Sequence, residues 1–271
     1  MKASFPATKI GFVGGGRMAQ ALARGLGGRD WIDSISFVDP DDEAARKFSE
    51  QCSAAKRCNN EELAGESQII VLAVKPQVMR DVLADISAFT GGGHLIVSVA
   101  AGVPIAVYRA ALNSSRIVRV MPNTPCLIGQ GMSAMCCDAG VTDQDQQTVA
   151  AMLESVGEVA IVDESQIDAV TGVSGSGPAY VYTFIEALTA GGVEQGLPHD
   201  LAHQLATQTV LGAAQLVKAS GQPPAELRDQ VTSPGGTTIE GLHALSESGF
   251  GPAVRNAVAA ATRRSVELST G

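Results

Sequence analysis

The stretch Ser233-Pro234-Gly235-Gly236-Thr237-Thr238-Ile239-Glu240 combines residue types that can hold an anion and move a proton. A Gly-Gly loop entering a helix presents bare backbone N–H groups, and the helix dipole adds partial positive charge there. Carboxylates and phosphates bind at such places, and Thr237 and Thr238 set two hydroxyl donors beside this one. Thr237 and Glu240 also have the S/T-x-x-E spacing of a capping box, with Ile239, Leu242 and Leu245 following at helical spacing. Taken alone, the stretch reads as a capped helix after a tight turn.

A second candidate lies near the other end of the chain. Gly14-Gly15-Gly16-Arg17-Met18-Ala19 is G-x-G-x-x-A, directly after the apolar run Lys9–Val13. That is a permitted form of the dinucleotide fingerprint. Gly14 allows the tight turn, Gly16 lets a pyrophosphate approach the backbone, and Ala19 lets the helix Arg17–Leu26 pack on the strand. Asp39, at the end of the strand Ile35–Val38, sits at the distance from the glycines where an acidic residue accepts from the adenosine ribose hydroxyls. Asp41, Asp42 and Glu43 make the loop strongly acidic, which repels a 2′-phosphate and leans towards NAD; Arg46 and Lys47, one turn on, can reverse that balance. The loop also reads as a helix N-terminus with favourable acidic charge.

The elements that must position these residues alternate. The apolar runs Ile69–Val74, Leu95–Val99, Ile117–Met121 and Val159–Val162 read as strands buried on both faces. Met79, Val82, Leu83 and Ile86 mark a helix between two of them, and Thr142, Val149, Met152, Leu153 and Val156 mark another with its cap. This pattern predicts an α/β fold with a doubly wound, mostly parallel sheet, whose ligands bind beyond the strand ends. Three ends stand out: Ala73-Val74-Lys75-Pro76, Ala100-Ala101-Gly102 and Met121-Pro122-Asn123-Thr124-Pro125. Lys75 is the one charge among them, and acid, carboxylate holder and solvated cation all remain open for it.

The second half is helical and carries too little charge for an outer surface. From Thr171 to Ala219 its only charged residues are Glu186, Glu194, Asp200 and Lys218. Val173-Ser174-Gly175-Ser176-Gly177-Pro178-Ala179-Tyr180 is a Gly/Ser turn into a helix, and further helices are expected from about Pro198 to Val217, after Pro234, and from Pro252 to about Leu268. Burial between subunits accounts for the missing charge. The boundary is expected near Gln166, giving a dinucleotide-binding domain over 1–166 and a helical domain over 167–271.

Composition narrows the partners. A chain of 271 residues, 45% apolar, can bury a real core. A net charge of −9 argues against nucleic acid, which requires a basic footprint. Met1 to Thr8 lacks the apolar run of a signal peptide, and no uninterrupted apolar run is long enough to span a membrane, so a cytoplasmic protein is expected. The five cysteines read as free thiols, and the four histidines are not paired with them at ligand spacing. His199 and His203 are i and i+4 on an expected helix, yet no Glu follows the first as in H-E-x-x-H, and no metal is expected.

In this order along one chain, Gly14–Ala19, Ala73–Pro76, Met121–Pro125, Ser174–Tyr180 and Thr232–Thr238 resemble pyrroline-5-carboxylate reductase. The resemblance spans essentially the whole chain, and its last two motifs are the specific ones. It implies reduction of 1-pyrroline-5-carboxylate to L-proline with NADPH or NADH, the last step of proline synthesis. It also implies an N-terminal Rossmann-type domain and an all-helical dimerisation domain, with dimers often assembled into decamers. By motif, Gly14, Gly15, Gly16, Arg17 and Met18 and then Ala73, Val74, Lys75 and Pro76 are expected at the cofactor, with Asp39 at the ribose; Asn60 aligns with a cofactor contact. Ser176, Ser233, Gly235, Gly236, Thr237 and Thr238 are expected at the substrate, with Thr238 catalytic, acting from its own subunit or from the partner.

Two other readings compete. A 3-hydroxyacid dehydrogenase requires a lysine on the helix after Gly177-Pro178, and none occurs before Lys218. A dinucleotide sensor has no use for the loop Ser233–Thr238.

Overall fold

The computed structural model describes residues 5–112, 114 and 116–270; Met1–Ser4, half of the stretch read above for a targeting signal, lie outside them. Its first unit comprises Met1–Gly175 with Ala260–Gly271, and its second Ser176–Ala259.

In the first unit the elements run β1 (Thr8–Val13), α1 (Arg17–Leu26), β2 (Ile32–Val38), α2 (Asp42–Gln51), β3 (Lys56–Arg57), α3 (Asn60–Glu66) and β4 (Ile69–Leu72). They continue through α4 (Met79–Ser87), β5 (Leu95–Ser98), α5 (Ile105–Leu112), β6 (Ile117–Met121), β7 (Gly131–Cys137), α6 (Asp143–Glu154), β8 (Gly157–Ile161) and α7 (Ile167–Val170). The eight strands form one sheet in the order β3-β2-β1-β4-β5-β6-β7-β8. Every neighbouring pair is parallel except β6 with β7. The strand order reverses between β1 and β4, so the crevice expected for a nucleotide opens there.

Alternation of side chains along each strand builds two cores. Ile69 and Val71 point into one, with Phe12, Leu22, Phe37 and Phe48, while Ile70 and Leu72 point into the other, with Leu63, Leu83 and Tyr108. Both faces are covered, which is why the strands read as unbroken apolar runs. Phe48 fixes α2 to the sheet: its ring lies 4.3 Å from that of Phe37 and 5.6 Å from that of Phe12. Each such fully buried large side chain contributes about 1.5–3 kcal/mol over its exposed state. Capping boxes start α3 at Asn59 with Glu62, and α6 at Thr142 with Asp145.

Two strands escape the apolar pattern. β7 is Gly-Met-Ser-Ala-Met-Cys-Cys, with no β-branched residue, and the short turn Pro122–Gln130 returns it antiparallel to β6. β3 has two residues, both exposed, and pairs Arg57 with Phe37 at the sheet edge. The strand expected over Ile69–Val74 ends at Leu72, so Ala73 and Val74 already belong to the loop beyond it.

The second unit consists of α8 (Gly177–Glu194), α9 (His199–Ser220), α10 (Pro224–Gln230), α11 (Thr237–Glu247) and the first half of α12 (Phe250–Thr270). The packing boundary thus falls later than the one expected at Gln166. α7 and the π-helical turn Thr171–Gly175 stay with the sheet, and the last residues of α12 return to it, where the Ser265 hydroxyl donates to Asp168 at 2.6 Å.

Candidate active site

β1 and β4 end side by side, with Ala73 N donating to Val13 C=O at 2.8 Å, and the loops beyond them open into a cleft of about 680 Å³. Gly14 turns the chain at φ 98, a backbone that favours glycine, and a Cβ there would lie 2.8 Å from Val74 and 2.9 Å from the Ala73 carbonyl. Gly15 is buried, and its N–H donates to Asp39 Oδ2 at 2.6 Å. Gly16 is the N-cap of α1 and has no side-chain cap, and Arg17 and Met18 form the first turn beyond it.

Asp39 belongs to the same loop system. Its second oxygen accepts from Asp41 N at 2.8 Å, while Asp41 caps α2 by accepting from the N–H groups of Glu43 and Ala44. Of the residues expected at a cofactor, Gly14, Gly16, Asp39, Asn60, Ala73, Val74 and Lys75 line the cleft. Gly15, Arg17, Met18 and Pro76 do not line it: Gly15 is buried, Arg17 and Met18 open α1, and Pro76 opens the short 3-10 turn Pro76–Val78.

Two features of this cleft fit a dinucleotide. Gly16 is unconstrained by the protein: its φ is −66 and the nearest atom to an added Cβ is the Ala73 carbonyl, 4.0 Å away. Gly16 is exposed at the start of α1, where a diphosphate seats. Asn60 Oδ1 is buried on the cleft wall without a hydrogen-bond partner, a state that costs free energy until a donor arrives.

The charges of the acidic loop fall out differently from the sequence expectation. Arg46 is tied to Glu43 and Glu50, and Lys47 to Glu43 at 3.1 Å, all on the exposed side of α2. The guanidinium of Arg46, then the ammonium of Lys47, draw the Glu43 carboxyl down to about 2. Neither cation lines the cleft. Arg57 does, and the sequence reading missed it, because a two-residue edge strand leaves no periodic signal.

Behind the other strand ends lies a polar layer. Ser98 and Tyr108 share a hydrogen bond of 2.6 Å, and burial pushes the Tyr108 hydroxyl up to about 12. Arg119, nearly fully buried on β6, donates to Glu164 at 3.1 Å, and the same oxygen accepts from Ile105 N, fixing the start of α5. Asn123 donates to the Ser174 carbonyl at 3.1 Å and accepts from Met132 N at 2.8 Å, so Met121–Pro125 holds the π-helical turn in place.

The expected substrate residues belong to the second unit. Ser176 is the N-cap of α8 but makes no side-chain cap, which leaves its hydroxyl unspent. Gly236, not Thr237, is the N-cap of α11, and it supplies no side-chain cap either. The Thr237–Glu240 capping box therefore does not form: Thr237 is already the first helical residue, one position too far in to cap. Gly236 N turns back to the Ser233 carbonyl at 3.0 Å. Ser233, Gly235 and Thr237 are exposed, whereas Thr238, on the second residue of the helix, is half-buried. His199 and His203 face each other with ring centroids 6.3 Å apart on exposed α9, and no group of three metal-ligating side chains occurs among the described residues.

A mostly parallel sheet that opens a glycine-lined crevice at its switch point, followed by a helical unit, is the plan of a two-domain, dinucleotide-dependent oxidoreductase. Residues 164–268 match the family model for pyrroline-5-carboxylate reductase dimerisation, and residues 9–102 match that for NADP oxidoreductase, coenzyme F420-dependent. The chain is 43% identical over 262 residues to the pyrroline-5-carboxylate reductase of Glycine max, covering 96% of each. It is also 43% identical over 264 residues to that of Synechocystis, covering 96% of this chain and 98% of the relative. The crystal structure of a Plasmodium falciparum pyrroline carboxylate reductase with NADP bound matches with a TM-score of 0.86 at 36% identity, over 98% of this chain and 100% of that one. The Coxiella burnetii pyrroline-5-carboxylate reductase matches at 0.90 with 32% identity, over 97% and 99%. The chain belongs to the pyrroline-5-carboxylate reductase family, and its cofactor is NAD(P)H.

Proposed function

We propose that this chain reduces 1-pyrroline-5-carboxylate to L-proline, with α11 as the substrate cradle and Thr238 as the residue that meets the ring nitrogen. The observation that carries the assignment of roles is the start of α11. Its N-cap is a glycine without a side-chain cap, so the first-turn N–H groups are left for a ligand, and a half-buried threonine follows on the same turn.

A carboxylate suits the loop Ser233–Thr237, because backbone donors and the helix dipole both favour negative charge there. The reduced nicotinamide supplies a hydride, which the imine carbon accepts. The imine nitrogen takes a proton, since an iminium is the better acceptor. The Thr238 hydroxyl positions and relays that proton; a threonine is too weak an acid to be its independent source. Ser176, with its hydroxyl free of capping, assists from the start of α8. Gly14–Met18, Asp39, Asn60 and Ala73–Pro76 hold the dinucleotide, and the orphaned Asn60 oxygen gains a donor when it binds.

The apolar, solvent-exposed sides of α8 and α9 support self-association, with the dimer as the smallest active unit and the decamer as a further assembly. The net charge of −9 supports a small-molecule partner over nucleic acid, and the cytoplasm is the proposed compartment. No helix among the described residues is long and apolar enough to cross a membrane.

The test is the loss of NADH or NADPH absorbance on adding pyrroline-5-carboxylate, with proline identified as product. Absence of both signals with either cofactor would refute the assignment.

A further inference from the structure

The sequence leaves the choice between NADH and NADPH to the acidic loop and its neighbouring cations, and the structure redistributes those charges. Arg46 and Lys47 are held on the outer side of α2 by Glu43 and Glu50. Both Asp39 oxygens accept main-chain N–H groups, from Gly15 and Asp41, and Asp41 Oδ1 accepts two more, so both carboxylates are anchored and partly compensated by backbone dipoles. Arg57 remains. It lines the cleft on the β2 side of β1, where the adenosine end of a dinucleotide binds. One arm of its guanidinium donates to the Asp39 carbonyl at 2.8 Å and the other to Asp42 Oδ1, also at 2.8 Å.

The two holds differ in strength. The carbonyl bond keeps Arg57 over the loop through the backbone. The Asp42 carboxylate is 89% exposed, so that pair is screened by water and easily exchanged. A planar guanidinium matches a phosphate better than any other side chain. Resting on the cofactor reading of this cleft, we infer that Arg57 takes the adenosine 2′-phosphate of NADPH by releasing Asp42. The Arg57–Asp42 pair then sets how the enzyme divides between NADPH and NADH. Asp42 is the competitor for the cation, and Asp39 keeps the loop shaped around it.

The probes are 2′,5′-ADP and 5′-AMP, which differ only by that phosphate and carry no nicotinamide, titrated calorimetrically against the full-length protein. The unsubstituted enzyme is expected to bind 2′,5′-ADP the tighter. Arg57→Ala should weaken 2′,5′-ADP by roughly 10–100-fold, the loss of a charge-assisted bond, and 5′-AMP by less than about 3-fold. Arg57→Lys should restore part of the difference, and Asp42→Asn should tighten 2′,5′-ADP by about 2–5-fold, the size of a released surface pair. Added salt should weaken 2′,5′-ADP more in the unsubstituted enzyme than in Arg57→Ala. Equal weakening of both probes by Arg57→Ala would make the residue a loop support and overturn the inference, as would no weakening at all. Failure of the unsubstituted enzyme to bind either probe would instead overturn the cofactor reading, a separate result.

Discussion

The two units solve the problem of burial in opposite ways. In the first, aromatic and branched side chains are sealed on both faces of the sheet within one chain, and Phe12, Phe37 and Phe48 are fully buried. In the second, Thr189, Ala202 and Ala206 are the buried side chains among residues 176–259, while Tyr182, Leu205, Leu211 and Leu216 are about half exposed. A helix that shows leucines around its circumference has an apolar surface left over once its own chain is folded. The sheet unit carries its stability in its own core; the helical unit leaves apolar surface uncovered, as the proposed self-association requires. A core substitution and a surface substitution of equally apolar residues should therefore fail by different routes.

The largest expected effect is in the sheet unit. Phe48→Ala removes a ring stacked on Phe37 and leaves a cavity under α2, at a cost of about 3–5 kcal/mol. Chemical denaturation followed by the single Trp31, whose ring lies near Phe5 in this unit, should show the loss at every protein concentration. A loss that diminishes as protein concentration rises would place Phe48 at an interface and erase the contrast.

Next comes the chemistry assigned to the helical unit. Thr238→Ala should lower kcat by roughly 10–10³-fold, the range of acid–base contributions, with nucleotide binding unchanged. Unchanged turnover removes Thr238 from the mechanism. Weakened nucleotide binding would show that the division of labour between cleft and α11 is wrong.

Leu205→Asp then probes the leftover surface directly. Leu205 is 49% exposed on α9, so an isolated chain would tolerate the charge almost freely. At the centre of an interface it should cost about 2 kcal/mol of association or more, near 30-fold in dimer dissociation. Light scattering across a dilution series should resolve this shift, and an unchanged series would mean that α9 meets no partner at this position.

The same contrast explains what could be read beforehand. The parallel strands announced themselves because burial on both faces demands unbroken apolar runs, and α1 was bounded correctly at Arg17–Leu26 because the glycines and the apolar face agree. The low charge of Thr171–Ala219 foretold the exposed apolar helices. β7 was missed because its small residues and cysteines carry no β propensity; the antiparallel turn alone makes them a strand. Arg57 was missed for a related reason: sheet-edge register, not a motif, brings it to the cleft. At α11 the helix was legible but its first residue was not, since Thr237–Glu240 satisfies the capping-box spacing that Gly236 pre-empts. Spacing within one helix can be read from the chain; contacts between strands far apart in sequence require the fold.

The smallest expected effect concerns acid, and again separates the units. In the sheet unit the Arg109 guanidinium, helped by Ala139 N, holds the buried Asp138 carboxyl below its ordinary range. Asp145 is opposed by its burial, yet bonds from Arg116 and Thr142 outweigh that and hold it below its ordinary range as well. A carboxyl depressed in the folded state stabilises the fold above its unfolded pKa, near 3.9, and loses that contribution as pH falls through the lower folded value. The sheet unit should therefore weaken progressively below about pH 4. Asp138→Asn should cost about 1 kcal/mol at pH 7, discounted because Arg109 is half exposed, and the difference from the unsubstituted protein should shrink at about pH 3, below the unfolded value. Paired denaturation curves at the two pH values measure this directly. A difference that persists undiminished in acid would mean that Asp138 acts through its shape in the β7–α6 connection, and that the charge pair with Arg109 adds nothing to the self-sufficiency of the sheet unit.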